Sequence, residues 1–81
     1  MQRVKYNPAP ITEVYTVEVF NKTGHGVATL SHPQGLRIDE RKAICQEIAD
    51  QIPDGYTCTV YTGVHSIGRT TPRNRTIQWG S

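Results

Sequence analysis

Residues 11–20 read Ile-Thr-Glu-Val-Tyr-Thr-Val-Glu-Val-Phe, dense in β-branched and aromatic side chains, and Ile11, Tyr15, Val17 and Val19 share one side of a pleated ribbon. This pattern predicts a first strand. Residues 21–26, Asn-Lys-Thr-Gly-His-Gly, bring two glycines suited to positive φ, and the strand pattern resumes over residues 27–31. The two segments are expected to pair as a hairpin.

After the loop His32-Pro33-Gln34-Gly35 the period changes. Ile44, Ile48 and Ile52 recur every four residues, Cys45 and Ala49 widen the same stripe, and Gln46, Glu47, Asp50 and Gln51 fall largely elsewhere. This spacing predicts a one-sided amphipathic helix. Asp39 is placed to cap it, with Glu40 in the first turn, where carboxylates suit the exposed amides and the helix dipole. Pro53-Asp54-Gly55 ends the helix and turns the chain. Residues 56–62 then alternate cleanly, with Tyr56, Cys58 and Val60 on one side. Residues 63–74 are polar, contain Gly68 and Pro72, and read as a loop before a short last strand over residues 75–79.

The order strand, strand, helix, strand, strand predicts an α+β fold: a mostly antiparallel four-stranded sheet with one helix packed on one face. The helix side would hold Ile11, Tyr15, Val17, Val19, Ala28, Leu30, Tyr56, Cys58, Val60, Ile77 and Trp79. The other face would stay uncovered and rich in threonine, with Thr12, Thr16, Thr29, Thr57 and Thr59 beside Val14, Glu18, Phe20, Val27 and Tyr61. Residues 1–10, with Pro8 and Pro10, predict an extended arm ahead of a single domain over residues 11–81.

Length narrows the functional classes. A chain of 81 residues has room for one core. At that size folding buries only roughly 60–65% of the unfolded surface, which leaves little for an enclosed catalytic cavity. With 36% apolar and 20% charged residues the chain has the composition of a folded protein. No apolar run comes after the early basic residues and no stretch approaches the ~20 apolar residues of a membrane span, so a soluble cytoplasmic protein without a membrane partner is expected.

Cys45 and Cys58 lie outside any Cys-x-x-Cys spacing and on the expected core sides of their elements, so they are expected as free thiols. His25, His32 and His65 fall in turns or loops at spacings that match no zinc pattern. Neither a metal nor another cofactor is expected.

Arg69, Arg73 and Arg75 fall within seven residues, hydroxyl and amide side chains lie between them, and the chain has no acidic residue beyond Asp54. Such a set suits phosphate oxygens or an acidic protein surface. The net charge of +2 is far from that of a dedicated nucleic-acid binder. Phe20 and Tyr61 on the uncovered face have the character of interface anchors, and an unpaired edge strand offers a further route to a partner.

A hydrolytic site needs a nucleophile or base held by an orienting partner, and no signature of one, such as Gly-x-Ser-x-Gly, is present. The expectation is a non-enzymatic module that docks onto a protein or a protein–nucleic acid assembly and acts by occlusion, a profile that accessory and inhibitor proteins of phages and mobile elements fit. Its binding residues would be Arg69, Arg73, Arg75, Tyr61, Phe20 and Lys22. One alternative is binding of single-stranded RNA or DNA, with Tyr61 and Phe20 stacking bases while the arginines and Lys22 track the backbone. Another is a small ribonuclease or toxin using His25 or His65 beside the arginines.

Overall fold

Alternation along the first strand translates directly into burial. In the computed structural model, which describes residues 14–33 and 35–80, Tyr15, Val17 and Val19 are buried while Thr16, Glu18 and Phe20 are half-buried on the opposite face. Residues 1–13, including the expected arm and Ile11 and Thr12, lie outside the described residues. The elements run β1 (Tyr15–Phe20), β2 (Gly26–Ser31), α1 (Ile38–Gln51), β3 (Thr57–Thr62), β4 (His65–Thr71) and β5 (Asn74–Trp79). They build an α+β fold with an antiparallel sheet in the order β2-β1-β3-β4-β5.

The expected hairpin between β1 and β2 is present. Asn21 organises its turn: its Oδ1 accepts bonds from the Thr23 and His25 amides, both at 3.0 Å, and from the Thr23 hydroxyl at 2.8 Å. Phe20 pairs with Gly26 and Val19 with Ala28, so Val27 is an extra residue, a β-bulge. The bulge moves Val27 off the threonine-rich face, where simple alternation placed it, into a groove shared with Ala28 and Leu30.

The sheet has five strands among the described residues, not four. Residues 63–74 are not a loop: they hold β4 and two tight turns. Gly63, at φ 61, and Val64 form a two-residue turn between Thr62 and His65, and Pro72 and Arg73 form another between Thr71 and Asn74. Ile67 is the one large apolar side chain of β4 packed against the core, and the two buried positions are Gly68 and Thr70, which hides the strand pattern. Gly68 is buried because the Trp79 ring fills the space beside it: a Cβ there would lie 2.8 Å from a ring carbon and 2.9 Å from Ile77 Cγ2. Thr70 is buried because its hydroxyl accepts the Cys58 amide hydrogen at 2.9 Å.

The helix starts earlier than expected. Arg37 is its N-cap residue and the Glu40 carboxylate accepts the Arg37 amide hydrogen at 2.9 Å, so Asp39 lies inside the first turn and is not the cap. The buried stripe is also rotated: Arg41, Cys45 and Ala49 face the sheet, while Ile44 and Ile48 are half-buried at its margin. Ile44 and Ile48 precede Cys45 and Ala49 by one residue, roughly 100° around the helix, so a seam centred on the small residues leaves the isoleucines at its edge. Cys45 and Ala49 are small, which lets the helix backbone come close to Val17, Cys58, Val60 and Ile77 in the core. Ile52 is extended and buried ahead of Pro53, and a turn closes with Gly55 at φ 83 and the Tyr56 amide donating to Pro53 O at 3.1 Å.

The helix lies mainly over β5, with lesser contact to β1 and β3. Gln46 fastens it there. Its Nε2 donates to Arg75 O at 2.9 Å and its Oε1 accepts the Ile77 amide hydrogen at 3.0 Å, so one side chain satisfies two backbone groups of β5. At the other side of the sheet all of β2 is exposed, including Leu30, which alternation had placed under the helix.

His32 holds the start of β1. It is buried, its Nε2 accepts the Tyr15 amide hydrogen at 2.8 Å, and its Nδ1 lies 2.9 Å from Pro33 O, so the ring carries its proton on Nδ1.

Three substitutions test this packing. Gly68→Ala is expected to destabilise the fold by ~1–3 kcal/mol through overpacking against Trp79. Gly26→Ala, whose nearest neighbour is the movable Glu18 carboxylate, is expected to have a smaller effect in the same urea denaturation series. Gln46→Ala is expected to cost about 1 kcal/mol and to speed hydrogen exchange at the Ile77 amide, because two backbone groups of β5 lose their partner.

Candidate binding surface

The three arginines do not form a cluster. Arg75 shares the helix side of β5 with Ile77 and is engaged there: its Nη2 pairs with the Asp54 carboxylate and its Nη1 donates to Asp50 O at 3.4 Å. Arg73 is exposed in the β4–β5 turn. Arg69 stands on the opposite face, directly across from Thr59 on one side and Gln78 on the other. No carboxylate among the described residues lies within ion-pair distance of it.

That opposite face is where the remaining candidates meet. Directly paired residues share a face of a sheet, so the register defines its rows. One row runs Thr29, Glu18, Thr59, Arg69 and Gln78 from β2 to β5. A second runs Ser31, Thr16, Tyr61 and Ser66, with the Thr16 and Ser31 hydroxyls 3.1 Å apart. Phe20 and Thr57 stand side by side in a third. Ser66 reaches this face because Ile67 is an extra residue between the Tyr61–Ser66 and Val60–Gly68 pairs, a second bulge that re-aims the strand. Ser66, Arg69 and Gln78 border a depression of about 370 Å³ at the β4–β5 end.

Lys22 does not belong to this face. It lies in the β1–β2 turn, where its methylenes pack over Gly55, 3.0 Å from where a Cβ would stand, and it lines a depression with Asn21, Thr23, Pro53, Asp54 and Tyr56. Sequence spacing missed Ser66 and the pairing of Gln78 with Arg69, because both depend on β4 being a strand. The Gly63-Val64 pair between two β-rich runs was the available signal.

The histidines do not assemble a general acid–base pair. His25 sits at the turn end of the β1–β2 hairpin, with its Nδ1 3.0 Å from the Thr23 hydroxyl. His65 pairs with Thr62, which pairs with Tyr15 at the far end of β1. A six-residue strand, ~20 Å long, separates the two ends. His32 is occupied in the core. Among the described residues no group of three or more His, Cys, Asp or Glu side chains is placed to hold a metal ion, and no helix is long and apolar enough to cross a membrane.

Cys45 and Cys58 are buried free thiols. Burial, reinforced by the neighbouring Cys58, pushes Cys45 from its ordinary 9.0 up to about 11. Cys58 is also raised by burial, with the Thr70 hydroxyl, 3.8 Å from its Sγ, working the other way. Neither has the character of a nucleophile.

No protein-family model matches the chain, and no curated protein or solved structure matches it.

The thiols yield a pH prediction. A folded-state value raised above the unfolded one gives stability that is whole below the unfolded value and is lost as pH rises through the folded one. The contribution of Cys45 is therefore expected to be intact below pH 9.0 and to vanish by pH about 11. Urea denaturation of wild type and Cys45→Ala across that interval is expected to give the shallower decline for the variant. In the native protein both thiols are expected to resist a thiol-specific dye at pH 8 until the chain unfolds.

Proposed function

We propose that this chain is a non-enzymatic docking module whose open sheet face binds a partner protein or protein–nucleic acid assembly and acts by covering the partner's surface. One observation carries the reading. The helix lies over one face of the sheet, and on the other face Phe20 and Tyr61 stand with Glu18 and Arg69 on β1, β3 and β4, with no covering layer among the described residues. Aromatic side chains supply apolar contact at small entropic loss, and charges already ordered by a strand lose little freedom on binding.

Mixed charge favours a protein over a bare nucleic-acid strand as the partner. Glu18 lies in the same row as Arg69, so a phosphate backbone crossing this face would meet a carboxylate as well as a guanidinium. The engagement of Arg75 with Asp54 and Asp50 removes a further cation from the set that would track a backbone.

The test is capture of a partner from native-cell lysate, with and without nuclease, by wild type, Arg69→Glu with Tyr61→Ala, and Arg75→Ala. A protein that survives nuclease, is lost at least tenfold (~1.4 kcal/mol) with the face variant, and is retained by Arg75→Ala supports the reading. Recovery of nucleic acid alone, abolished by nuclease, overturns it in favour of single-strand binding. Retention of the partner by the face variant overturns it as well.

A further inference from the structure

The two outer strands among the described residues are treated in opposite ways. Gln46 occupies two outward backbone groups of β5, Arg75 O and the Ile77 amide, whereas β2 presents Gly-Val-Ala-Thr-Leu-Ser with all six residues exposed. An open edge is ordinarily guarded by a charge, a proline or a bulge; β2 carries no charge or proline, and its one bulge, at Val27, lies at the Gly26 end, leaving residues 28–31 as a regular edge. Its inner face is apolar, with Val27 51% and Leu30 45% exposed. Because the helix lies toward β5, a groove of about 440 Å³ opens between β2 and the helix, lined by Ala28, Leu30, Ile48, Ile52 and Tyr56 among others.

We propose that β2 pairs antiparallel with β2 of a second copy of this chain, so that two sheets become one continuous sheet. The strand is self-complementary in the way a twofold axis requires. With Thr29 opposite its own copy, Leu30 falls opposite Ala28 on the helix side, so the larger side chain of each copy meets the smaller of the other beside the groove. Charge fits this occupant: every pair across the axis is neutral, so no ion is desolvated and no like charges meet.

Area sets the strength. A strand pair ~20 Å long and ~10 Å high covers a footprint well short of the ~800 Å² per partner of a standard interface, even with the groove added. The dimer is therefore reversible and concentration-dependent, not obligate. An axis perpendicular to the sheet leaves both open faces on the same side, giving a platform with two copies of the Glu18–Arg69 row, which raises avidity for a repeating partner.

Sedimentation equilibrium of the full chain from about 10 μM to about 1 mM tests this, a span that covers weak to moderate association. The expected result is a rise from 9.1 kDa toward twice that mass, with the β2 amides exchanging more slowly at high concentration. Thr29→Lys places like charges together on the axis while setting the new ammonium across from Glu18 within its own sheet, so the fold is kept. It is expected to weaken association at least tenfold, and Thr59→Lys on an inner strand is not. A wild-type monomer at 1 mM overturns the proposal, and slow β2 amides in such a monomer would assign the edge to residues 1–13. Dissociation by Thr59→Lys but not by Thr29→Lys overturns it in favour of pairing through the open face.

Discussion

The Gln46 side chain ties the helix to one side of the sheet, and most of the molecule's asymmetry stems from where it does so. A glutamine amide can donate and accept at once, so it replaces the donor and acceptor that a further strand would have offered to β5. With the helix held there, Cys45 and Ala49 lie against the sheet and Arg75 turns toward the helix C-terminus to meet Asp50 O and Asp54. One helix of 14 residues, ~21 Å long, cannot also cover β2. Among the described residues, the partly closed edge at β5, the unpaired edge at β2 and the uncovered face are three outcomes of one placement.

Elements whose inward positions are apolar were legible in the sequence. Tyr15, Val17 and Val19 in β1 and Cys58 and Val60 in β3 alternate as their burial does, and the 14-residue helix declares its amphipathic period. β4 was not legible because its two buried positions serve their neighbours. Gly68 makes room for Trp79, and Thr70 supplies a hydroxyl to the Cys58 amide, so neither looks like a core residue. The helix register was off for a related reason. Bulky isoleucines dominate a periodicity reading, while close approach to a sheet selects small residues, here Cys45 and Ala49.

The candidate site was legible in its residues and not in their grouping. Spacing gathers Arg69, Arg73 and Arg75 only if the intervening chain is a loop. Two strands joined by the Pro72-Arg73 turn separate them instead: Arg69, paired with Gln78, faces outward, and Arg75, in phase with Ile77, faces the helix. Phe20 and Tyr61 needed no such knowledge, since their strands were already in phase, and their face is the one expected. Ser66 and Val27 show the limit of simple alternation. Each sits at a bulge, and one inserted residue reverses the face of every residue after it in the strand.

The open face can be stable without a covering layer, because threonine suits a pleated surface through its branched β-carbon while its hydroxyl remains in water. Glu18 and Arg69 add little to that stability. They stand two strand spacings apart, roughly 10 Å. That separation is about a Debye length at physiological salt, so each is screened from the other and neither is neutralised. Their value lies in being held in place. A strand residue has already lost its backbone freedom in folding, so a partner with a complementary pair of charges meets groups that need little further ordering. Between them Thr59 is small, and on either side Tyr61 and Phe20 offer apolar surface that neighbouring strands half bury. A surface with two separated opposite charges flanked by two aromatics is selective for orientation, since a partner reversed by 180° brings like charges together.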